Sequence, residues 1–163
     1  MSILKWLLIL LAMVVVGAIG AGQAGLFGSS PPTDLGVHDG KLRPPSATDN
    51  SVSSQALLYP DNLQHQAAQI APLPLRGDGP MTIAKIRAVV ETMKGAKVIK
   101  SDADYLYVQY TTPLMKFVDD AELWYDPTAQ VIQVRSASRV GQSDMGANRM
   151  RIEAVRAALI ALP

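Results

Sequence analysis

The chain is 163 residues long, with 48% apolar, 18% charged and 6% aromatic residues, about one domain by length. Fifteen Lys and Arg against 14 Asp and Glu leave a net charge of +1, which excludes a strongly basic nucleic-acid binder and an acidic solvating tail. The absence of cysteine excludes disulfides, thiolate metal sites and cysteine nucleophiles, and the two histidines, His38 and His65, speak against a histidine metal site; no cofactor is expected.

Residues 3–22 read ILKWLLILLAMVVVGAIGAG, with Lys5 as their one charge. A helix of that length spans roughly 30 Å, the thickness of a bilayer's hydrocarbon core. It has no polar face, so a buried helix of a soluble protein is a poor reading. Residues 1–24 are expected to be a transmembrane anchor. The rival is a signal peptide cut near Gly22-Gln23-Ala24, and without a cysteine it is no lipoprotein signal. Lys5 and the amino terminus favour an N-in topology, with the rest of the chain outside the cytoplasm.

Residues 25–80 hold Pro31, Pro32, Pro44, Pro45, Pro60, Pro72, Pro74 and Pro80 and keep no helical or strand period. A stretch this long is a linker or a loop wrapping a core. Residues 25–34 are expected as linker. Residues 35–80, with apolar anchors such as Leu42, Val52 and Leu57, are expected to wrap a single domain of residues 35–163.

Periodicity resumes after Pro80. Ile83, Ile86, Val90 and Met93 form a helical stripe, with Thr82 as the expected N-cap and Gly95 as the stop. Strands are expected at 97–101, 105–112, 117–125 and 130–139, with turns at 102–104 and 126–129. Ile152, Val155, Leu159 and Leu162 mark a last helix. Short connections favour an antiparallel four-stranded meander with both helices on one face, a two-layer α+β domain.

A four-residue loop at 126–129 pairs Leu123 with Ile132, Ala121 with Val134, Asp119 with Ser136 and Asp120 with Arg135. Apolar then meets apolar on the helix-facing side. Asp120, Glu122, Arg135 and Arg139 fall on the open side. Asp119 falls on the core side, where a carboxylate needs hydrogen bonds or a cation. It either pins the adjoining loop at the strand end or serves as a binding or acid–base group. From residue 113 to 156, six cations and six anions balance, so arginine–carboxylate pairing is the simpler account. An anion site at Arg135, Arg139 and Arg149 is the alternative. In the GQSDMGAN loop, Ser143, Asp144 or Asn148 can cap the following helix. Tyr105, Tyr107, Tyr110 and Trp124 read as sheet packing before a stacking platform. Lys85, Arg87, Lys94, Lys97 and Lys100 against Glu91 form a basic patch, either solvated or in contact with anionic lipid.

Three separated runs, LGVHDGKLRPPSATDNSVSSQA, FVDDAELWYD and IQVRSASRVGQSDMGANRMRIEAVR, resemble the family known as domain of unknown function 1499. The resemblance covers roughly residues 35–159. Its strongest part, RSASRxGxSDxGxNRxRIE, matches from Arg135 through Glu153. The family's aspartate pair falls on Asp119 and Asp120, its arginines and serines on Arg135, Ser136, Ser138 and Arg139. Its loop positions fall on Gly141, Ser143, Asp144, Gly146, Asn148, Arg149 and Arg151, and its asparagine motif on Asn50, followed by Ser53, Ser54 and Gln55. Two cysteines found in many members are replaced by Pro45 and Ser51, which argues against an obligate thiol or metal role. The resemblance implies a bacterial envelope or membrane-linked protein and supplies no activity.

The expected function is a non-catalytic binding or accessory module on the periplasmic side of the bacterial inner membrane, or a periplasmic protein if the leader is cut. Its candidate binding residues are Asn50, Ser53, Asp119, Asp120, Arg135, Ser136, Ser138, Arg139, Ser143, Asp144, Asn148 and Arg149. Asp119, Arg135, Arg139, Asn148 and Arg149 would order the 35–60 loop, with NSVSS docking through its hydroxyls. Partners would be the membrane, an envelope protein or a lipid headgroup, and no nucleic acid. The alternatives are an anion or headgroup carrier, and a hydrolase using Asp119 or Asp120. The hydrolase lacks a G-x-S-x-G elbow, an H-E-x-x-H helix and a P-loop.

Overall fold

The computed structural model describes residues 3–162. The first apolar run forms α1 (Ile3–Gln23), whose most apolar 18-residue window has a mean hydropathy of 2.5 and is nowhere buried by the rest of the chain. It is long and apolar enough to cross a membrane. Only its C-terminal end meets the domain. Gly22 packs so closely on the Met115 backbone that a Cβ there would lie 2.5 Å from the Met115 oxygen. Gln23 Nε2 donates to the carbonyls of Pro113 and Leu114 at 3.1 and 2.9 Å.

Beyond it lie β1 (Ser51–Ser53), α2 (Gly79–Glu91), β2 (Ala96–Ser101), β3 (Tyr105–Thr111), β4 (Val118–Asp126), β5 (Val131–Ser138) and α3 (Ala147–Ala161). The strands form one antiparallel sheet in the order β1-β5-β4-β3-β2. The α+β class stands, with five strands in place of four. The added strand is β1, three residues of the irregular segment. It is too short to show an alternating pattern, and it forms because the outer edge of β5 offers unpaired backbone groups.

One face of the sheet carries α2 and α3. Ile83, Ile86, Val90, Ile152, Val155 and Leu159 pack on Leu106, Val108, Ala121, Leu123, Ile132 and Val134. Each of the Val, Leu and Ile side chains contributes about 1.5–3 kcal/mol on burial. Helix α2 begins earlier than its apolar stripe suggests. Asp78 is the N-cap, accepting from the Met81 N–H at 2.7 Å, and Pro80 occupies the first turn. Thr82 therefore lies inside the helix, its hydroxyl donating to the Asp78 carbonyl at 2.7 Å. The helix ends at Thr92, and Gly95 makes the turn into β2 with a φ of 78°.

The β4–β5 register differs from the expected one by two residues. Asp126 is the last residue of β4 and pairs with Val131. Its Oδ1 accepts from the Thr128 and Ala129 N–H groups, both at 3.0 Å, and Gln130 takes a φ of 55°. The loop is thus 127–130. Leu123 faces Val134, Ala121 faces Ser136, Asp120 faces Ala137, and Asp119 faces Ser138. An even shift leaves every side chain on its side, so Leu123 and Ile132 do share the helix-facing core.

The second face is not open. Irregular residues 25–46 cross it and bury Leu42, Tyr105, Tyr107 and Trp124 in a second apolar cluster, with Leu35 and Val37 at its edge. The tyrosines and Trp124 therefore serve as packing. Within the stretch expected as linker, the Phe27 ring stacks 5.2 Å from Phe117.

Candidate functional site

The polar residues of β3, β4 and β5 divide by strand parity into two clusters on opposite faces of the sheet. On the wrapped face, Asp120 is 1% exposed and Glu122 is fully buried. Asp120 and Arg139 form a two-pronged ion pair, with Nη2 on Oδ1 and Nε on Oδ2, both at 2.8 Å. The Tyr107 hydroxyl donates to Asp120 Oδ1 at 2.6 Å, and Gln109 Nε2 donates to that hydroxyl at 2.7 Å. The Tyr105 hydroxyl donates to Glu122 Oε1 at 2.7 Å. Arg135 Nη1 lies 3.9 Å from Glu122 Oε2, which has no hydrogen-bond partner among the described residues.

The outward valences of this cluster reach main chain of the wrap. Arg139 Nη1 donates to the Ser29 carbonyl at 2.6 Å and Arg135 Nε to the Pro44 carbonyl at 3.0 Å. The Gly36 N–H donates to Glu122 Oε1 at 2.7 Å. Gln55 adds two bonds, accepting from the Leu42 N–H and donating to the Gly40 carbonyl. The electrostatics follow the burial. Burial, reinforced by the Glu122 charge, pushes the Tyr105 phenol well up; burial and the bond to Asp120 raise Tyr107. Burial lowers Arg135 against the pull of Glu122, while the bond to Asp120 raises Arg139. The phenols thus stay protonated as donors to the carboxylates.

On the helix-facing side, Asp119 Oδ2 accepts from Arg151 Nη2 at 2.5 Å, and the Arg151 guanidinium lies 4.3 Å over the Tyr110 ring. Burial raises the Tyr110 phenol to about 12, opposed by Arg151. Asn148 is fully buried. Its Oδ1 accepts from the Ser136 hydroxyl at 2.5 Å and from Arg151 Nη1 at 2.7 Å. Its Nδ2 lies within reach of the Asn50 carbonyl, the Ser138 hydroxyl and Asp144 Oδ2. Asp144 caps the start of α3, accepting from the Gly146 and Asn148 N–H groups, both at 2.8 Å.

Of the sequence-derived set, Asp119, Ser136, Ser138, Asp144 and Asn148 meet on one face, and Asp120, Arg135 and Arg139 meet on the other. Asn50 Nδ2 donates to the Gly141 carbonyl at 2.7 Å, so it fastens the start of β1 to the β5–α3 loop. Ser53 docks through its backbone, to the Ala68 carbonyl and the Ile70 N–H, in place of its hydroxyl. Ser54, outside the set, uses its hydroxyl, donating to Gln133 Oε1 at 2.7 Å. Ser143 is exposed; its hydroxyl stays local, accepting from the Met145 N–H, while its backbone bridges to Asp49. Arg149 joins neither cluster. It sits one position around α3 from the buried Asn148 and donates to the Ala67 carbonyl at 2.9 Å. The cation that holds Asp119 is Arg151, three residues after Asn148 and so on the same helix face. That spacing was available in the sequence, as was the shared parity of Glu122 and Asp120.

Three clefts border these clusters, one of them, of about 470 Å³, lined by Tyr110 and Arg151. One of about 160 Å³ lies between the β3–β4 and β5–α3 loops and is lined by Asp119, Ser138, Ser143 and Asp144 with Phe117 and Val140. One of about 190 Å³ lies between wrap and sheet, lined by Arg43, Ser46, Asp120, Arg135 and Arg139.

A two-faced antiparallel sheet, helices on one side and an ion-pair-fastened wrap on the other, preceded by an apolar helix, defines the class: a small α+β domain with an internally paired polar layer. The chain belongs to the DUF1499 family of proteins of unknown function, whose sequence pattern matches residues 41–159. No curated protein matches it.

Proposed function

We propose that the protein is a membrane-anchored, non-catalytic accessory module of the bacterial envelope, with α1 retained as anchor and residues 35–163 as one domain on the periplasmic side of the inner membrane. The observation that carries this is the use made of the polar cluster. Asp119, Asp120 and Glu122 each face an arginine, and Arg135, Arg139 and Glu122 each make one hydrogen bond to wrap main chain. A carboxylate engaged by a guanidinium and a phenol is a poor general base, which weighs against the hydrolase reading of Asp120. Matched charges likewise leave the arginines little surplus for an anion.

The test compares Asp119→Asn and Arg139→Ala in the full chain. Both variants are expected to melt at lower temperature and to lose cellular function in proportion. Lost function with unchanged melting would overturn the reading, because it would make these groups reactive or ligand-binding. The anchor is read from the same preparation. The intact Trp6 peptide should be found by mass spectrometry in carbonate-washed membranes, and its absence there would contradict retention.

A further inference from the structure

The 21 described residues of α1 rise about 31 Å, close to the hydrocarbon thickness of a bilayer. Whatever touches Gly22 and Gln23 therefore sits in the headgroup layer. The groups that touch them are Pro113, Leu114 and Met115 of the β3–β4 loop. Several other segments share that end of the sheet. Thr111 of β3 pairs with Val118, and Asp119 pairs with Ser138 at the close of β5. The cleft between the β3–β4 and β5–α3 loops shows those loops side by side. A larger cleft of about 470 Å³, lined by Met93, Lys94, Pro113 and Met150, brings the exit of α2 and the first turn of α3 to the same end.

Several exposed apolar side chains lie at this end, while Met81 and Ile160 are exposed at the far one. Leu114 is 61% and Met145 93% exposed, with Leu26, Val140 and Met150 also open. Met145 sits at a loop tip in the left-handed region, φ 54°, and packs on nothing that would account for an apolar residue in water. Charge is sorted in the same direction. This end carries Lys94, Lys97, Lys116 and Arg149 against Asp49, the capping Asp144 and Glu91, whereas Asp78, Asp102, Asp104 and Asp126 lie at the far end with Arg76. Of the other basic residues of α2 and β2, Arg87 and Lys100 are paired with Glu91 and Asp102, and Lys85 lies midway along α2.

We propose that this end of the domain is seated in the interfacial layer of the bilayer that α1 crosses. Leu114 and Met145 enter below the headgroups, and Lys94 and Lys97 meet the phosphates of anionic phospholipids. Apolar side chains flanked by cations are the composition that binds such a surface. The inference rests on the anchor reading above and adds that the domain lies against the lipid rather than swinging free.

The chain has no cysteine, so single-cysteine labelling is clean. Leu114→Cys, Met145→Cys, Ala129→Cys and Val14→Cys full-length chains, each carrying a nitrobenzoxadiazole label, are reconstituted into phosphatidylcholine vesicles containing a quarter phosphatidylglycerol. A lipid with a nitroxide just below its headgroup serves as shallow quencher and one with a deep nitroxide as core quencher. Labels at 114 and 145 are expected to shift to the blue and lose most of their emission to the shallow quencher. The label at 129, in the far hairpin loop, should keep its aqueous spectrum, and the label at 14 should respond to the deep quencher. Labels at 114 and 145 that behave like 129 while 14 is deeply quenched would overturn the seating and leave the anchor standing. An unquenched label at 14 would overturn both. Lys94→Glu with Lys97→Glu should weaken quenching at 145 and leave 14 unchanged; full quenching at 145 in that variant would overturn the phosphate contact.

Discussion

Asp120 and Arg139 show most directly how this chain uses charge. Their side chains are 2% and 7% exposed, and the pair is two-pronged at 2.8 Å. Taking both ions out of water costs several kcal/mol each, which the pair regains only because the geometry is good and Tyr107 and the Ser29 carbonyl satisfy further valences. Removing one partner leaves the other buried and uncompensated. Arg139→Ala and Asp120→Ala should therefore each destabilise by about 3–5 kcal/mol, and the double variant should fall well short of the sum. Denaturant unfolding of the four-member cycle measures this, and additive losses would mean that the two groups do not act as a unit. The balance of six cations and six anions across residues 113–156 points to such pairing. It could not choose partners. Arg149 and Arg151 are indistinguishable by composition, and only helix geometry puts Arg151 beneath Asp119 and turns Arg149 toward residue 67.

Strands β2 to β5 and both helices of the domain were legible because their apolar residues recur with period 2 or 3.6. Three features were not. Strand β1 is held by an edge that does not exist until β5 is in place, so its three residues carry no pattern of their own. Helix α2 starts at an Asp-Gly-Pro sequence ahead of its apolar stripe, and the capping side chain set the boundary. The β4–β5 register turned on a single residue of the hairpin: Asp126 stays in the strand and its carboxylate gathers the turn N–H groups. Its partial burial raises its pKa, but the bonds from Ala129, Gln133 and Thr128 outweigh this and hold it below the ordinary carboxylate value. A carboxyl lowered in the folded state stabilises fully above its unfolded pKa, and that stability is lost as pH falls through the folded one. Wild type should therefore lose more stability than Asp126→Asn between about pH 5 and pH 2. Parallel acid melts test this, and identical slopes would remove the turn carboxylate from the account.

At the scale of the molecule, one sheet separates two kinds of cohesion. The helix-facing side is a conventional apolar core. The other side has only a small apolar cluster around Leu42, and the irregular wrap over it is fastened by buried arginines and Glu122 acting on main-chain groups. Such a chain places its polar residues to specify one path for a segment that has little regular structure of its own. The two ends differ as well, with α1, the exposed Leu114 and Met145, Lys94 and Lys97 at one and Asp78, Asp102, Asp104 and Asp126 at the other. The most direct test is amide hydrogen exchange of the full chain in lipid, wild type against Arg139→Ala. The wrap amides at Gly36 and Leu42 should lose more protection in the variant than those of Val108 and Leu123 in the central strands, which fall only with the global stability. Unchanged protection at Gly36 and Leu42 would contradict the claim that the ion pairs exist to hold the wrap.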